Sequence, residues 1–299
     1  MLMNNFKEQL RALPNKPELH LYILIDFAQD PQLLAALERV TPDTQSRCLL
    51  KDARDSEDLS KVAPHLATLP PYEDDSKLWI SLLRKGAEFP ASFTLIASAS
   101  DFATLYAHLA QFTEIILPDG EEKYFAFWDP AILGTLVGQK DDDTLYIPYP
   151  VLSAPQRTKL LTGISAWWYW SRYGALQQIK DADPQSVSDH VVLPLKLIPV
   201  QEEMLVEASV PDHLLGYIKE NQPQLLMNLS APEQYERIKK HLLEARHLKL
   251  FGMQDMVNYI CAALIYGDQM QKNSTVTALL EKVKRKEMNL AEALKQFPQ

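Results

Sequence analysis

Glycine is scarce in this chain, nine residues in 299, and nowhere forms a glycine-rich loop. That excludes the nucleotide-binding motifs in which the backbone must approach phosphate closely. Cysteine is scarcer: Cys48 and Cys261 are the only two. They lie far apart in the chain, match no zinc or redox spacing and imply no disulfide framework. Two free thiols suit a reducing cytosol. No apolar run reaches the roughly 18 residues needed to cross a bilayer, and the opening MLMNNFKEQLRALPNKPELH lacks the apolar centre of a secretory signal. Positive charge is short as well. With 30 Lys and Arg against 39 Asp and Glu, the net charge is −9, which argues against a nucleic-acid backbone as ligand. The expectation is a cytoplasmic chain with neither a membrane nor a nucleic acid as partner.

Catalytic signatures are missing too. No His-Glu-x-x-His motif occurs, and Ser165 and Ser171 lack the glycines of a nucleophile elbow. His241 and His247 are six apart on one expected helix, so they point to different faces and cannot share a metal. His65 and His108 stand alone, without the orienting partner that acid–base catalysis needs. No cofactor is expected.

What is present is enough apolar material for a sizeable core, 46% of residues. LYILID at 21–26 predicts a strand buried on both faces. Asp30-Pro31 then predicts a helix start, because Asp caps free N–H groups and Pro suits the first turn. CLL at 48–50 predicts a short strand. SKLWISLLRKG at 76–86 predicts an amphipathic helix stopped by Gly86, SFTLIAS at 92–98 a strand, and Ser100 the cap of the helix DFATLYAHLAQF. Pro118-Asp119-Gly120 is turn chemistry and predicts a hairpin over TEIILPDGEEKYFAFW. After about residue 181 the texture changes: prolines at 184, 194 and 199 predict a linker, with a possible short strand in VVLPL, and no strand pattern follows Val210. Ser230 with Glu233 makes a capping box for a helix through YERIKKHLLEARHLKL to Gly252. QDMVNYICAALIYG, TVTALLEKVKRKEM and a tail helix capped by Asn289 follow. The fold class expected is α/β, a layered mixed sheet flanked by helices, then a small all-helical C-terminal lobe. The divisions expected are 1–185 for the α/β domain, 186–210 for a Pro-rich linker and 211–299 for the helical lobe.

KYFAFWDPAIL at 123–133 holds four aromatics in five positions and then Asp-Pro. Alternation puts Tyr124, Ala126 and Trp128 on one face and Phe125 and Phe127 on the other, which predicts a central strand covered on both sides. Asp129 then caps a helix that Pro130 opens, as at Asp30-Pro31. ISAWWYWSRYG at 164–174 predicts a second such strand, with Trp167 and Tyr169 on one face and Trp168 and Trp170 on the other. It is either central or an exposed edge able to anchor a partner. The acids of ARDSED, EDD, GEE and DDD (53–58, 73–75, 120–122 and 141–143) predict solvated loops. Asp26 and Asp129 each end an expected strand. They could share the carboxyl edge of one sheet and do acid–base or metal work, or simply be polar stops.

Several stretches together resemble a known family. They are LYILID; APHLATL at 63–69; LIASAS leading into LYAHL at 105–109; LPDGEEKYFAFWDPAIL, with its Pro-Asp-Gly turn, aromatic run, Asp-Pro and following Leu; AWWYWSRYG; and the helical ARHLKLFGMQDMVNYICAALIYG. In this order they resemble the type VI secretion effector chaperones, or adaptors, a bacterial domain of unknown function. The likeness runs from Tyr22 to about Leu176, with the helical end similar to the extension often attached to that domain. Ala110, Ala126 and Ala131 stand where the family commonly has arginine.

The resemblance implies a non-enzymatic adaptor. It would bind a secreted toxin effector in the cytoplasm and help load it onto the spike protein at the tip of the secretion tube. Partner-binding residues expected on that basis are Trp128, Asp129, Trp167, Trp168, Trp170, Phe251, Met253, Met256 and Tyr259. On the helix over 254–266, Met256, Tyr259, Ile260 and Ala263 form a stripe that packing alone would explain. The rival expectation, from the residues, is a metal-dependent α/β hydrolase or nuclease using Asp26 and Asp129.

Overall fold

The computed structural model describes residues 2–14, 19–51, 53, 56–180 and 191–298. The expected boundary at residue 185 and the first part of the expected linker lie outside the described residues, as do Arg54 and Asp55 of ARDSED. The chain separates into two compact units, Met1–Glu207 and Ala208–Gln299.

The first unit is built on a six-stranded sheet. Its strands are β1 (His20–Asp26), β2 (Ser46–Cys48), β3 (Pro64–Leu69), β4 (Phe93–Ser98), β7 (Ile164–Trp170) and β8 (Leu176–Lys180). They lie in the order β2-β3-β1-β4-β7-β8, and every neighbouring pair is antiparallel. The alternation of each strand sorts its residues into two cores. Tyr22, Leu24, Leu66, Ile96, Trp167 and Tyr169 face one. Leu21, Ile23, Ile25, Leu95, Trp168 and Trp170 face the other. The first is covered by α5 (Phe102–Leu109), α6 (Pro130–Val137) and α7 (Ala154–Leu161), the second by α1 (Leu2–Arg11), α2 (Leu33–Val40) and α4 (Lys77–Glu88). Two covered faces explain why β1 and β7 are apolar along their whole length.

A second sheet of three strands joins β6 (Glu122–Tyr124) to β5 (Glu114–Ile116) antiparallel, and β5 to β9 (Leu195–Lys196) parallel. The short helix α3 (Glu57–Ser60) precedes β3. The hairpin around Asp119-Gly120 forms, but the strand beyond it does not continue through KYFAFW. After Tyr124 the chain turns tightly, with Phe127 N–H on the Phe125 carbonyl at 2.8 Å and Asp129 N–H on the Ala126 carbonyl at 3.0 Å. Phe125, Phe127 and Trp128 all enter the same core cluster, and Tyr124 is 51% exposed. The aromatic run is a buried corner and not a central strand.

Local capping also shifts some expected ends. Asp101, not Ser100, caps α5 by accepting the Thr104 N–H at 2.8 Å. Asp30 lies in the turn before α2, where it meets Lys85 at 2.6 Å. Gly86 does not stop α4, which runs on to Glu88. It lies inside the helix because a Cβ there would come within 2.5 Å of the Trp170 ring.

Residues 199–210, expected in the linker, are helical: α8 spans Pro199–Asn221 with Pro211 inside it. Pro199 opens it, where a missing N–H costs nothing. The second unit holds α9 (Ala231–His247), α10 (Met253–Tyr266), α11 (Gln269–Lys272), α12 (Ser274–Lys284) and α13 (Leu290–Leu294). No strand occurs among its described residues. The Glu233 carboxylate accepts the Ser230 N–H at 2.8 Å at the start of α9. α9 ends at His247, short of Gly252, because Lys249 takes a left-handed conformation (φ 63°). Leu250 N–H then reaches the Ala245 carbonyl and Lys249 N–H the Arg246 carbonyl, the paired bonds of a Schellman stop.

Candidate functional site

β7 runs parallel to β1, since each is antiparallel to β4 between them. The ends of β1 and β7 therefore share one edge of the sheet, and polar groups collect there on the side of the first core.

Asp26 ends β1 and is buried. Its carboxylate accepts the Ala28 N–H at 2.9 Å and a hydrogen bond from the Trp128 side chain. Burial pushes its pKa up. The Ala28 N–H pulls it back, and the nearby negative charge of Asp129 pushes it up again. Asp129 comes from the aromatic corner and not from a strand end. Its Oδ1 accepts the Ala131 and Ile132 N–H groups at 2.8 and 3.4 Å, capping α6 with Pro130 in the first turn. The two carboxylates expected on one sheet edge are thus within electrostatic reach of each other, brought there by a turn. Among the described residues, no group of three or more His, Cys, Asp or Glu is placed to hold a metal ion.

Further along the same edge, Tyr169 Oη donates to Asp142 Oδ2 at 2.9 Å. Asp142 Oδ1 accepts from the Thr144 hydroxyl at 2.6 Å and its N–H at 3.0 Å. Asp142 is 5% exposed, so the middle of DDD is a buried acceptor and not a solvated loop charge. Burial first, and the Asp142 charge second, raise the Tyr169 pKa far above that of a free phenol. The phenol stays a donor at any ordinary pH. The sequence carried one usable signal, Asp-x-Thr, in which Asp turns back onto the backbone two residues on. Nearby, the Trp167 indole donates to the Thr94 hydroxyl at 2.8 Å.

The expected anchors divide by burial. Trp167, Trp168 and Trp170 are 0%, 0% and 1% exposed. They fill both cores at the fifth strand of six and offer nothing at the surface, because a strand covered on both sides turns its rings inward. Trp128 is also buried, with its indole on Asp26. Met256 and Tyr259 lie in the core of the second unit, where the stripe on α10 places them. The Tyr259 hydroxyl donates to Glu244 at 3.2 Å, and His241 Nδ1 lies 2.9 Å from the same oxygen. Phe251 and Met253 are different: they are 66% and 47% exposed. Of the nine residues, these two present large apolar side chains to solvent.

The lone histidines hold backbone. His65 Nδ1 lies 3.0 Å from the Ala63 carbonyl with its ring stacked on Phe27. His108 Nε2 lies 2.9 Å from the Leu160 carbonyl. Burial lowers the pKa of both. Elsewhere in the first unit a cleft of about 340 Å³ is lined by Leu10, Leu19, Leu21, Pro71 and Tyr72 together with Lys7, Arg11 and Asp74. No helix among the described residues is long and apolar enough to cross a membrane.

No curated protein and no solved structure matches the chain. Residues 21–145 match the model of a protein family described as Domain of unknown function (DUF4123), so the chain is similar to that family from β1 to just beyond α6.

Proposed function

We propose that the chain is a non-enzymatic adaptor that binds a type VI secretion effector in the cytoplasm and helps load it onto the spike protein. The stretch matched by the family model contains LYILID, APHLATL, LIASAS, LYAHL and LPDGEEKYFAFWDPAIL, five of the seven stretches on which the resemblance to effector chaperones rests. The observation that carries a binding role is the exposure of Phe251 and Met253. Large apolar side chains held at a helix start suit the anchoring of a protein partner. The carboxylates best placed for chemistry are meanwhile engaged by their own chain: Asp26 with Ala28 and Trp128, Asp129 with the first turn of α6. Co-expression with a type VI toxin effector and a spike protein from the same genome tests the reading. Both should co-purify with the full chain, and recovery of neither removes the proposal.

One observation favours a second reading, a metal-dependent hydrolase or nuclease: Asp129 lies close enough to Asp26 to raise its pKa, and paired carboxylates bind divalent ions. Mn²⁺ or Mg²⁺ at a hundred times its Kd would stabilise such an enzyme by about 2.7 kcal/mol. The adaptor reading predicts no shift in melting temperature with either ion.

A further inference from the structure

We propose that the surface where α9 and α12 end is a docking site for an acidic, apolar-bearing segment of a protein partner. The proposal rests on reading the chain as a protein-binding module, and not on type VI secretion. Its apolar centre is Leu243 and Phe251, 55% and 66% exposed. Its rim is cationic. Arg246 and His247 follow Leu243 by three and four residues and so share its face of α9. The Arg246 guanidinium lies 5.3 Å from the Phe251 ring centroid. Lys284, in the last turn of α12, brings its Nζ to 3.0 Å from His247 Nε2, which joins the two helix ends into one surface.

Charge selects the partner. From Ala208 onward 12 Lys and Arg face 10 Asp and Glu, whereas the residues before it hold 18 against 29. The second unit is mildly basic in an otherwise acidic chain, and two of its cations, Arg246 and Lys284, lie at this surface.

The backbone adds an independent observation. Both helices stop with a lysine in the left-handed region, Lys249 at φ 63° and Lys286 at φ 61°. Glycine is the residue that suits that conformation. Lysine there favours the negative end of the helix dipole, but Arg246 on α9 and Lys282 and Lys284 on α12 already supply charge in the last turns. Two lysines standing where glycine fits better suit a surface on which positive charge is used.

A polyphosphate would meet the charge but leave Leu243 and Phe251 without an apolar partner. A second copy docking its acidic unit here would make a heterologous contact, which builds rings or open filaments and not a twofold dimer. An acidic peptide with a Leu or Phe anchor satisfies both halves of the surface.

The test is to pan a phage-displayed library of random peptides against the immobilised full chain. Enriched peptides should combine Asp or Glu with Leu, Phe or Trp. Phe251→Ala should weaken their binding by about tenfold or more, as loss of a central anchor does. Lys249→Gly with Lys286→Gly should weaken binding while leaving the melting temperature unchanged or raised, which separates the role of charge from that of folding. Enrichment of basic or uncharged peptides, or affinities unmoved by these substitutions, would overturn the proposal. So would substitution-sensitive binding to phosphatidylserine vesicles or a short DNA duplex, or substitution-sensitive self-association, each tighter than peptide binding. The library contains no secretion component, so its outcome is separable from that of the co-expression experiment.

Discussion

Tyr169 donates its hydroxyl to the Asp142 carboxylate across 2.9 Å, and both side chains are buried. The bond ties β7 to the segment after α6, and its geometry depends on Gly134, where a Cβ would come within 2.5 Å of the Tyr169 hydroxyl. Tyr169→Phe leaves a buried carboxylate short of a donor. Loss of a hydrogen bond to a charged group costs about 1.5–3 kcal/mol, to be read from urea unfolding. A cost under about 0.5 kcal/mol, the usual size for a surface change, would show that the pair holds nothing together.

Gly86→Ala reads the close approach of α4 to the sheet. In an open helix this change stabilises by up to about 1 kcal/mol. Here the added Cβ meets the Trp170 ring at 2.5 Å, and overpacking of this kind costs about 1–3 kcal/mol. The sign of the change in melting temperature decides: a rise would mean that the ring moves aside freely.

Asp129→Ala should destabilise by about 0.5–2 kcal/mol through loss of the cap on α6, and Asp129→Ser should restore most of it. Asp129→Ser with full stability but no partner capture would reassign the residue from the fold to the interface.

Asp26 carries a pH prediction. Its pKa is raised in the folded chain, so its charged form costs stability above that pKa, and the cost is relieved as pH falls through it. Asp26→Asn keeps an acceptor for the Ala28 N–H and removes the charge. The variant should match or exceed the parent in melting temperature at neutral pH, with the difference shrinking in acid. A deficit at neutral pH that grows with pH would contradict the direction of the shift.

The capping signals were legible because they are local. Asp129-Pro130, Ser230 with Glu233 and Asn289 with Glu292 all stand at helix starts. β1 and β7 were legible because two covered faces leave a strand apolar throughout. The aromatic corner was misread for the same reason: Phe125, Phe127 and Trp128 are as apolar as a central strand, and only the turns at 125–129 distinguish them. Gly86 was illegible and Asp142 legible only as a local turn onto Thr144, since the Trp170 ring and the Tyr169 hydroxyl that give them their roles are distant in sequence. At the surface, composition marked Trp168 and Phe251 alike as candidate anchors, and packing alone separates the buried ring from the exposed one.

The role proposed for this chain is to join an effector to the secretion spike. Its most direct measurement is sedimentation of purified spike with purified effector, in the presence and absence of the full chain. Effector should travel with spike when the chain is present, and Phe251→Ala, folded and unchanged in melting temperature, should carry less of it. Equal cosedimentation with and without the chain would contradict the account.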